Sequence, residues 1–531
     1  MESELLNQLP EPLRSQVALA FSGLAQTNVR LVQLEADNAL LREQIRLLLI
    51  KKYGAKSEQL SDGQLSLLEL EPGVSAQEVE TEAALAAEVK AATPEAQLGQ
   101  AEPPKEGKTP IRKPLPAHLP REERIIPCAE ADCLCSQCGG QKRVIGYEPS
   151  ERLSMKPAVY FVEVTKREKR ACPKCEELGV SVAPVPAAIV EKGILSNRIV
   201  VDVAIKKYVE HAPLYRQALS IKRDAGLDMS QSTLCNAMMK TGELLAAVCG
   251  AMRKDVLAGG YIQADETPVP VQSPATKGRN HRAYVWEYSR PFGPVVYEFR
   301  MGREREGPRN FLKDYGGRLQ TDGYAAYNNV GGGGMAHFAC MAHVRRKFFD
   351  ASKVDTKDVR SVAIIDKIGE LYGVEQAARD AGLDAAGREA LRKEKSVPIL
   401  VELKAMIVQA RAAALPKIAL GRACDYALSL WVRLERYAAE GNGVVEIDNN
   451  WAENAMRPIT LGRKNWLHIG SEEAGPKVAA IMSVMETCKR LQINLRQYLE
   501  DVLPRIADWP ITRIAELTPM AWQADRSRLK S

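Results

Sequence analysis

Sulfur and carboxylate are the two kinds of ligand that this chain sets at telling intervals. Cys135-Ser-Gln-Cys138 is followed by Gly139 and Gly140, and Cys172-Pro-Lys-Cys175 comes later. Each pair makes a tight turn that presents two thiolates, the glycines permit such a turn, and four sulfurs satisfy tetrahedral zinc with no position left open. The expected ion is structural, with Cys128 and Cys133 close enough to stand in for one of the four. Oxygen comes from Asp265, in the strand-like Gly260–Thr267, and from Asp322, which closes Arg318-Leu-Gln-Thr. Hard divalent cations such as Mg2+ take carboxylate, water and phosphate oxygens, so acids on such strands are candidates to hold one. Glu266 competes with Asp265, but successive strand residues point to opposite faces, and the residues Tyr261–Ala264 do not decide which face is which. Cys340-Met-Ala-His343 adds two ligands, too few for a closed zinc site, and a structural role is expected of it. Arg345, Arg346 and Lys347 follow, placed either to meet phosphate or to stay solvated.

The acids need a scaffold, and the hydrophobic period changes where they occur. Gly260–Thr267, Ala283–Arg290 and Pro294–Arg300 are strand-like, Gly307–Tyr315 is helical, Arg318–Asp322 is a fourth strand, a short helix runs to Val330, and Met335–Cys340 is a fifth strand. Three meandering strands, a helix, a strand, a helix and a strand is the order of a ribonuclease-H-like fold. In that fold one Asp lies on the first strand, another at the end of the fourth, and a third carboxylate comes from a later helix.

Upstream the chain changes character several times. Leu24, Leu31, Asn38 and Ile45 fall at one heptad position and Thr27, Leu34, Leu41 and Leu48 at the other, which predicts a coiled coil over 20–52. Asn38 at a core position would fix register and favour a parallel homodimer. Residues 61–110 are rich in Ala, Glu, Gln and Pro and poor in aromatics, the composition of an acidic flexible linker. The zinc ribbon is expected over 111–185, with the strand-like Tyr160–Thr165 feeding its second cysteine pair and Lys166–Arg170 adding positive charge. Helical patterns at Val201–Glu210, Pro213–Arg223 and Thr233–Leu245, with Gly226 in the turn and a Ser cap before the last, predict a helix-turn-helix-like DNA-binding unit over 196–250.

Composition sets the outer limits. Hydrophobic residues at 45% and charged residues at 26% are ordinary globular values for a multidomain α+β chain. Asp62–Pro104 holds nine acidic residues against one basic, a local −8 that leaves +14 on the rest of a chain whose net charge is +6, and this suits a polyanionic partner. No apolar run is long enough to span a membrane, and Met1-Glu2-Ser3-Glu4 does not open a secretory leader. A reducing bacterial cytoplasm, in contact with the nucleoid, is the expected setting; there cysteines serve as thiols or zinc ligands.

Three acidic segments carry a resemblance. Asp265-Glu-Thr-Pro, Thr321-Asp322-Gly-Tyr-Ala-Ala-Tyr and Asp448-Asn-Asn-Trp-Ala-Glu453-Asn-Ala-Met-Arg457-Pro resemble the motifs of the insertion-sequence-66 transposase family. Arg112–Arg121, the cysteine pairs and Gly462-Arg463-Lys464-Asn-Trp466 resemble it too, in the same order; Asn454 departs from the Arg expected beside the third acid. The resemblance implies an enzyme of the DDE transposase class with Asp265, Asp322 and Glu453 as catalytic acids. It would bind an element's terminal inverted repeats, hydrolyse the ends, and join the freed 3′-hydroxyl to target DNA; small companion proteins of the same element are further expected partners. The chemistry needs a nucleophile and a stabilised leaving oxygen, which two Mg2+ ions about 4 Å apart supply, with Mn2+ as substitute. Asp265 would bridge them while Asp322 and Glu453 each complete one side. Arg345, Arg346, Lys347, Arg457, Arg463 and Lys464 are the candidate DNA contacts.

Too many residues separate Asp322 from Glu453 for a simple loop. Their helical pattern predicts an insertion over 351–443 that splits a catalytic core of 258–350 and 444–482, before a C-terminal helical segment at 483–531. A non-catalytic DNA-binding regulator, or a nuclease of the same fold without strand transfer, would share much of this organisation; the regulator leaves the ordered acidic motifs unexplained.

The cysteine pairs make one prediction. Replacing Cys135 and Cys172 together by Ser should remove a tightly bound zinc from the purified protein, measured by metal analysis. Full zinc retention would reject this ligand set.

Overall fold

The computed structural model describes residues 159–171, 180–275, 278–355 and 357–530, with scattered positions between 10 and 147. The linker 61–110, the four candidate zinc cysteines and most of the heptad lie outside the described residues. Of the heptad leucines, Leu31, Leu34 and Leu41 are described as helical and are exposed in the single chain.

The strand expected at Tyr160–Thr165 is not found. Those residues pair with no strand among the described residues. The pairing occurs further on, where β1 (Lys169–Ala171) runs antiparallel to β2 (Val180–Val182) on either side of the segment carrying Cys172 and Cys175.

Three helices follow: α1 (Asn197–Tyr208), α2 (Leu214–Ala225) and α3 (Gln231–Ala258). Gly226, with φ +68°, ends α2 in the left-handed conformation that glycine adopts without strain. Ser230 caps α3, its Oγ accepting from Thr233 N at 3.1 Å. The turn is as expected, but α3 continues far past Leu245, because Val248, Met252 and Val256 prolong its buried stripe.

The central sheet has strands β3 (Tyr261–Val271), β4 (His281–Ser289), β5 (Val295–Arg300), β6 (Arg318–Thr321) and β7 (Ala336–Ala339), in the order β5-β4-β3-β6-β7. The first three form an antiparallel meander, and β6 and β7 add in parallel. Helix α4 (Glu306–Leu312) precedes β6. The short helix expected before Val330 is only a 3-10 turn, Ala325–Tyr327. β3 is central and covered on both faces: Ile262, Gln263 and Ala264 are all fully buried. A strand buried on both sides does not alternate, which is why the residues before Asp265 carry no face signal. Its pairing with β6 ends at Gln263–Gln320. Pro268 and Pro270 lie beyond that point, where β3 no longer needs to donate to β6.

β5 is an edge, and a helix covers it. In α12 (Ala474–Arg490) Thr487 Oγ1 accepts from Val295 N at 2.9 Å and Ser483 Oγ from Tyr297 N at 2.8 Å, so two edge amides are satisfied by side chains. Helix α3 crosses α12 so closely that a Cβ on Gly242 would meet Lys477 backbone at 2.7 Å.

Between β7 and the helix that bears Glu453, the chain is helical as expected: α5 (Met341–Val354), α6 (Val359–Asp380), α7 (Ala385–Leu391), α8 (Val397–Ala412), α9 (Ala419–Ser429) and α10 (Trp431–Glu435). They enclose a second core that includes Phe348, Leu371, Leu403, Ile407 and Trp431. Then come α11 (Asn450–Trp466), α12, α13 (Leu495–Ile506) and α14 (Pro519–Lys530). A π-helical turn, Arg392–Ser396, joins α7 to α8, and its extra residue turns Arg392 inward. There Nε and Nη2 donate to both oxygens of Glu375 at 2.7 Å, and Nη1 to the carbonyls of Tyr437 and Asn442 at 3.2 Å. Arg388 joins Glu375 to Glu446, bidentate on the latter at 3.0 and 3.1 Å.

Arg392 and Glu375 are each only 1% exposed, so removing one strands the other's charge in the interior. Arg392→Ala should destabilise the helical region by about 3–5 kcal/mol, read by chemical denaturation. Arg513→Ala, which breaks an exposed pair with Glu516, should leave the midpoint where it is. Equal behaviour of the two variants would refute a special cost for the buried pair.

Candidate active site

Asp265 and Asp322 emerge where two parallel strands part. Gln263 and Gln320 form the last rung between β3 and β6, and each acid lies two residues further along its own strand direction. Crevices at the carboxyl ends of parallel strands are where such sheets place ligands. Glu453 comes from the first turn of α11. Burial pushes the Asp265 carboxyl well above its usual value, and Glu453, Glu266 and Asp322 push it further. Burial likewise raises Glu453 to about 7, against the pull of Arg346 and with the repulsion of Asp448 and Asp322. Asp265 therefore resists ionising beside the negative charges of Glu453, Glu266 and Asp322.

A set of buried amides holds them there. Gln263 Nε2 donates to the Asp448 carbonyl at 2.8 Å, and its Oε1 accepts from Ala452 N at 3.2 Å, gripping the start of α11 from both sides. Gln320 Nε2 donates to the Glu446 carbonyl at 2.9 Å and to that of Ala339 on β7 at 3.3 Å. Tyr261 links the two glutamines: its hydroxyl donates to Gln320 Oε1 and accepts from Gln263 Nε2 at 2.8 Å. Asp322 is fixed through backbone and side chain, since its carbonyl accepts from Tyr426 on α9 and its Oδ1 accepts from Tyr324 N at 2.8 Å. Gly323 follows at φ +90°, with Leu430 occupying the space a side chain would need.

Other acids nearby have partners. Glu266 accepts from Arg303 Nε at 3.0 Å and from the Tyr327 hydroxyl at 3.0 Å, though burial still raises it to about 7. Asp448 accepts from Tyr372 at 3.0 Å and from Asn450 N at 3.2 Å, and Glu446 is held by Arg388. Glu453 differs. Its Oε1 is buried with no hydrogen-bond partner among the described residues, and so is His343 Nδ1, 3.3 Å away.

The candidate DNA contacts divide. Arg346 Nη2 lies 3.8 Å from Glu453 Oε2 and Arg345 sits beside it half-buried, while Lys347 is exposed above the Tyr426 ring. Arg457 is exposed one turn after Glu453, and Lys464 is exposed further along the same helix. Arg463 turns instead to β3, donating to Thr267 Oγ1 at 3.1 Å and to the Pro268 carbonyl. Sequence reasoning missed the glutamine clamp and the approach of His343 to Glu453. A signal for the clamp exists in the repeat Gln-x-Asp, at Gln263-Ala-Asp265 and Gln320-Thr-Asp322.

Comparison with known proteins defines the class as a DNA transposase. The chain belongs to the Transposase IS66 family, whose model matches residues 192–477. Models for the zinc-finger binding domain of transposase IS66 and for the IS66 C-terminal element match 132–176 and 483–520, and one described as Transposase C of IS166 homeodomain matches 40–124. The zinc-finger match contains Cys133, Cys135, Cys138, Cys172 and Cys175 but not Cys128. Among relatives, uncharacterized protein y4qI of Sinorhizobium fredii is 32% identical over 99% of this chain and 97% of its own. Uncharacterized protein y4hP of the same organism is 31% identical over 78% of each chain, and y4jD 30% over 78% of this chain and 82% of its own. DNA is thus a partner, a structural zinc and a divalent metal suit the matched domains, and no described helix is long and apolar enough to cross a membrane.

The raised acids carry a pH signature. A carboxyl with a raised folded-state pKa stays protonated in the native state after the unfolded chain has released its proton. The stability it contributes is full below its ordinary 4.5 and is lost as pH climbs through about 7. In chelator, Glu453→Gln should therefore gain stability relative to wild type as pH rises across that interval, by about 3 kcal/mol at most. Mg2+ should stabilise wild type above pH 7 and do less for the variant. A difference between the two proteins that does not change with pH would refute the assignment.

Proposed function

We propose that this chain cuts and rejoins DNA on a ribonuclease-H-like core, with Asp265, Asp322 and Glu453 as the catalytic acids. What supports the reading is that Asp265 and Asp322 each lie two residues past the last β3–β6 rung and that Glu453 and Asp322 both act on the Asp265 carboxyl, while Glu266, Asp448 and Glu446 are each tied to a side-chain partner. The sheet order, a three-strand meander extended by two parallel strands, supports the fold assignment.

The site suits divalent cations. Half-buried carboxylates that repel one another, one with an oxygen lacking a hydrogen bond among the described residues, are stabilised by positive charge. Their oxygens are the ligands Mg2+ prefers, with Mn2+ as substitute. Asp265 would hold two ions, with Asp322 and Glu453 on one each; bound there, they activate the attacking oxygen and stabilise the leaving one. The protein's own part is positioning. The glutamine clamp sets α11 against β3, Tyr426 holds the Asp322 backbone, and Arg346, Lys347, Arg457 and Lys464 present positive charge to the DNA backbone. Helices α2 and α3, with the Gly226 turn and the Ser230 cap, are suited to bind the element ends, α3 entering a groove by its N-terminal turn. The heptad segment would pair two chains in parallel, and the four cysteines would hold zinc.

Asp265→Asn, Asp322→Asn and Glu453→Gln each keep size and remove an anionic ligand. Each should retain binding to element-end DNA and lose end cleavage and strand transfer in Mg2+ by orders of magnitude, in assays that include the element's companion proteins. Cleavage by wild type without joined products would indicate a nuclease. Near-normal transposition by Glu453→Gln, with Asp265→Asn inactive, would sink the role of Glu453.

A further inference from the structure

We infer that Cys340, His343 and Glu453 form a second transition-metal site, of the zinc class, which shares Glu453 with the proposed catalytic acids. Its binding chemistry stands on its own; only its effect on catalysis rests on the preceding reading.

Cys340 is the N-cap of α5 and His343 lies in that helix's first turn. Residues three apart on a helix share a face, so sulfur and imidazole point the same way. Glu453 comes from the first turn of α11, and the two helix starts are tied together. Asn449 N donates to Cys340 Sγ at 3.5 Å, and Met341 N donates to the Ile447 carbonyl at 3.1 Å. The three ligand atoms all lie within 4.8 Å of one another, and His343 Nδ1 is 3.3 Å from Glu453 Oε1. Bonds of about 2.0–2.3 Å to a tetrahedral zinc put ligand atoms about 3.5 Å apart, so the imidazole–carboxylate edge, at 3.3 Å, is already near that length and the sulfur lies within 4.8 Å of both.

A second observation points to a ligand. His343 Nδ1 and Glu453 Oε1 are both buried without a hydrogen-bond partner among the described residues, although they face each other. Leaving two such atoms unsatisfied is costly, and a cation between them would satisfy both. The donor set selects the ion. Thiolate and imidazole favour zinc or cobalt over magnesium, which prefers oxygen. Three protein ligands leave a fourth position for water, as in zinc sites that are not purely structural. Cys340 would bind as the thiolate, its proton released to solvent. With Oε1 engaged there, Glu453 is drawn away from Asp265 and Asp322, so zinc at this site should oppose Mg2+-supported cleavage.

The test counts metal on the full chain without DNA. Metal-stripped protein is titrated with Zn2+ and separately with Co2+, the latter followed by thiolate-to-cobalt absorption. Wild type should take one equivalent more than Cys340→Ser or His343→Ala, and X-ray absorption of that additional zinc should show one sulfur with nitrogen and oxygen rather than four sulfurs. His343→Gln serves if His343→Ala alters the circular dichroism. Equal metal content in wild type and in folded Cys340→Ser and His343 variants would overturn the site. Absence of DNA cleavage by wild type in Mg2+ would sink the catalytic reading and leave this count unaffected.

Discussion

Two neutral side chains in the middle of the sheet govern the arrangement at its working end. Gln263 and Gln320 are fully buried on adjacent parallel strands, where an unpaired amide would cost about 1–3 kcal/mol. Their hydrogen bonds, with that of Tyr261, run to the backbone of Glu446, Asp448, Ala452 and Ala339. The chain between Glu446 and Ala452 therefore has to lie over the carboxyl ends of β3 and β6, and α11 can begin in only one place. Amides, not charges, set where the helix that carries Glu453 begins. A neutral clamp has an advantage in this position, since it orders a cluster of carboxylates without neutralising them.

The helices between β7 and α11 contribute to the same ordering. Tyr372 on α6 holds Asp448, Arg388 holds Glu446, and Tyr426 on α9 holds the Asp322 carbonyl. Arg392, turned inward by the π-helical turn, ties the same region to the carbonyls of Tyr437 and Asn442. The segment has its own core, yet its polar contacts converge on the stretches flanking two of the three acids. It thereby sorts the carboxylates. Asp448 and Glu446 are hydrogen-bonded through their side chains, whereas Glu453, with Arg346 3.8 Å from Oε2, keeps Oε1 without a hydrogen bond among the described residues.

Much of this was legible beforehand. The five strands, the helix before β6, the Gly226 turn, the Ser230 cap and the helical character beyond β7 follow from hydrophobic period and from residues with a single conformational use. Besides the short helix that became a 3-10 turn at Ala325–Tyr327, two further local readings failed for identifiable reasons. Tyr160–Thr165 has strand-forming residues but no strand partner among the described residues, and the pairing falls at Lys169–Ala171 and Val180–Val182 instead. Helix α3 outran its expected end because the helix packs along α12, and that partner lies more than 200 residues downstream.

The sequence by itself determined the order of elements, the cysteine pairs, the acidic motifs and, through them, the family, because each of these depends on near neighbours in the chain. Tertiary structure alone decided which charges Asp265 meets, since β3 is buried on both sides and shows no alternation. It alone decided which downstream acid keeps a buried oxygen without a hydrogen bond among the described residues, that Arg463 turns to β3, and that His343 meets Glu453. Those outcomes rest on contacts such as Gln263 with Asp448, 185 positions apart. A long-range hydrogen bond leaves no period in the sequence, because its partner's place is set by how the whole chain closes.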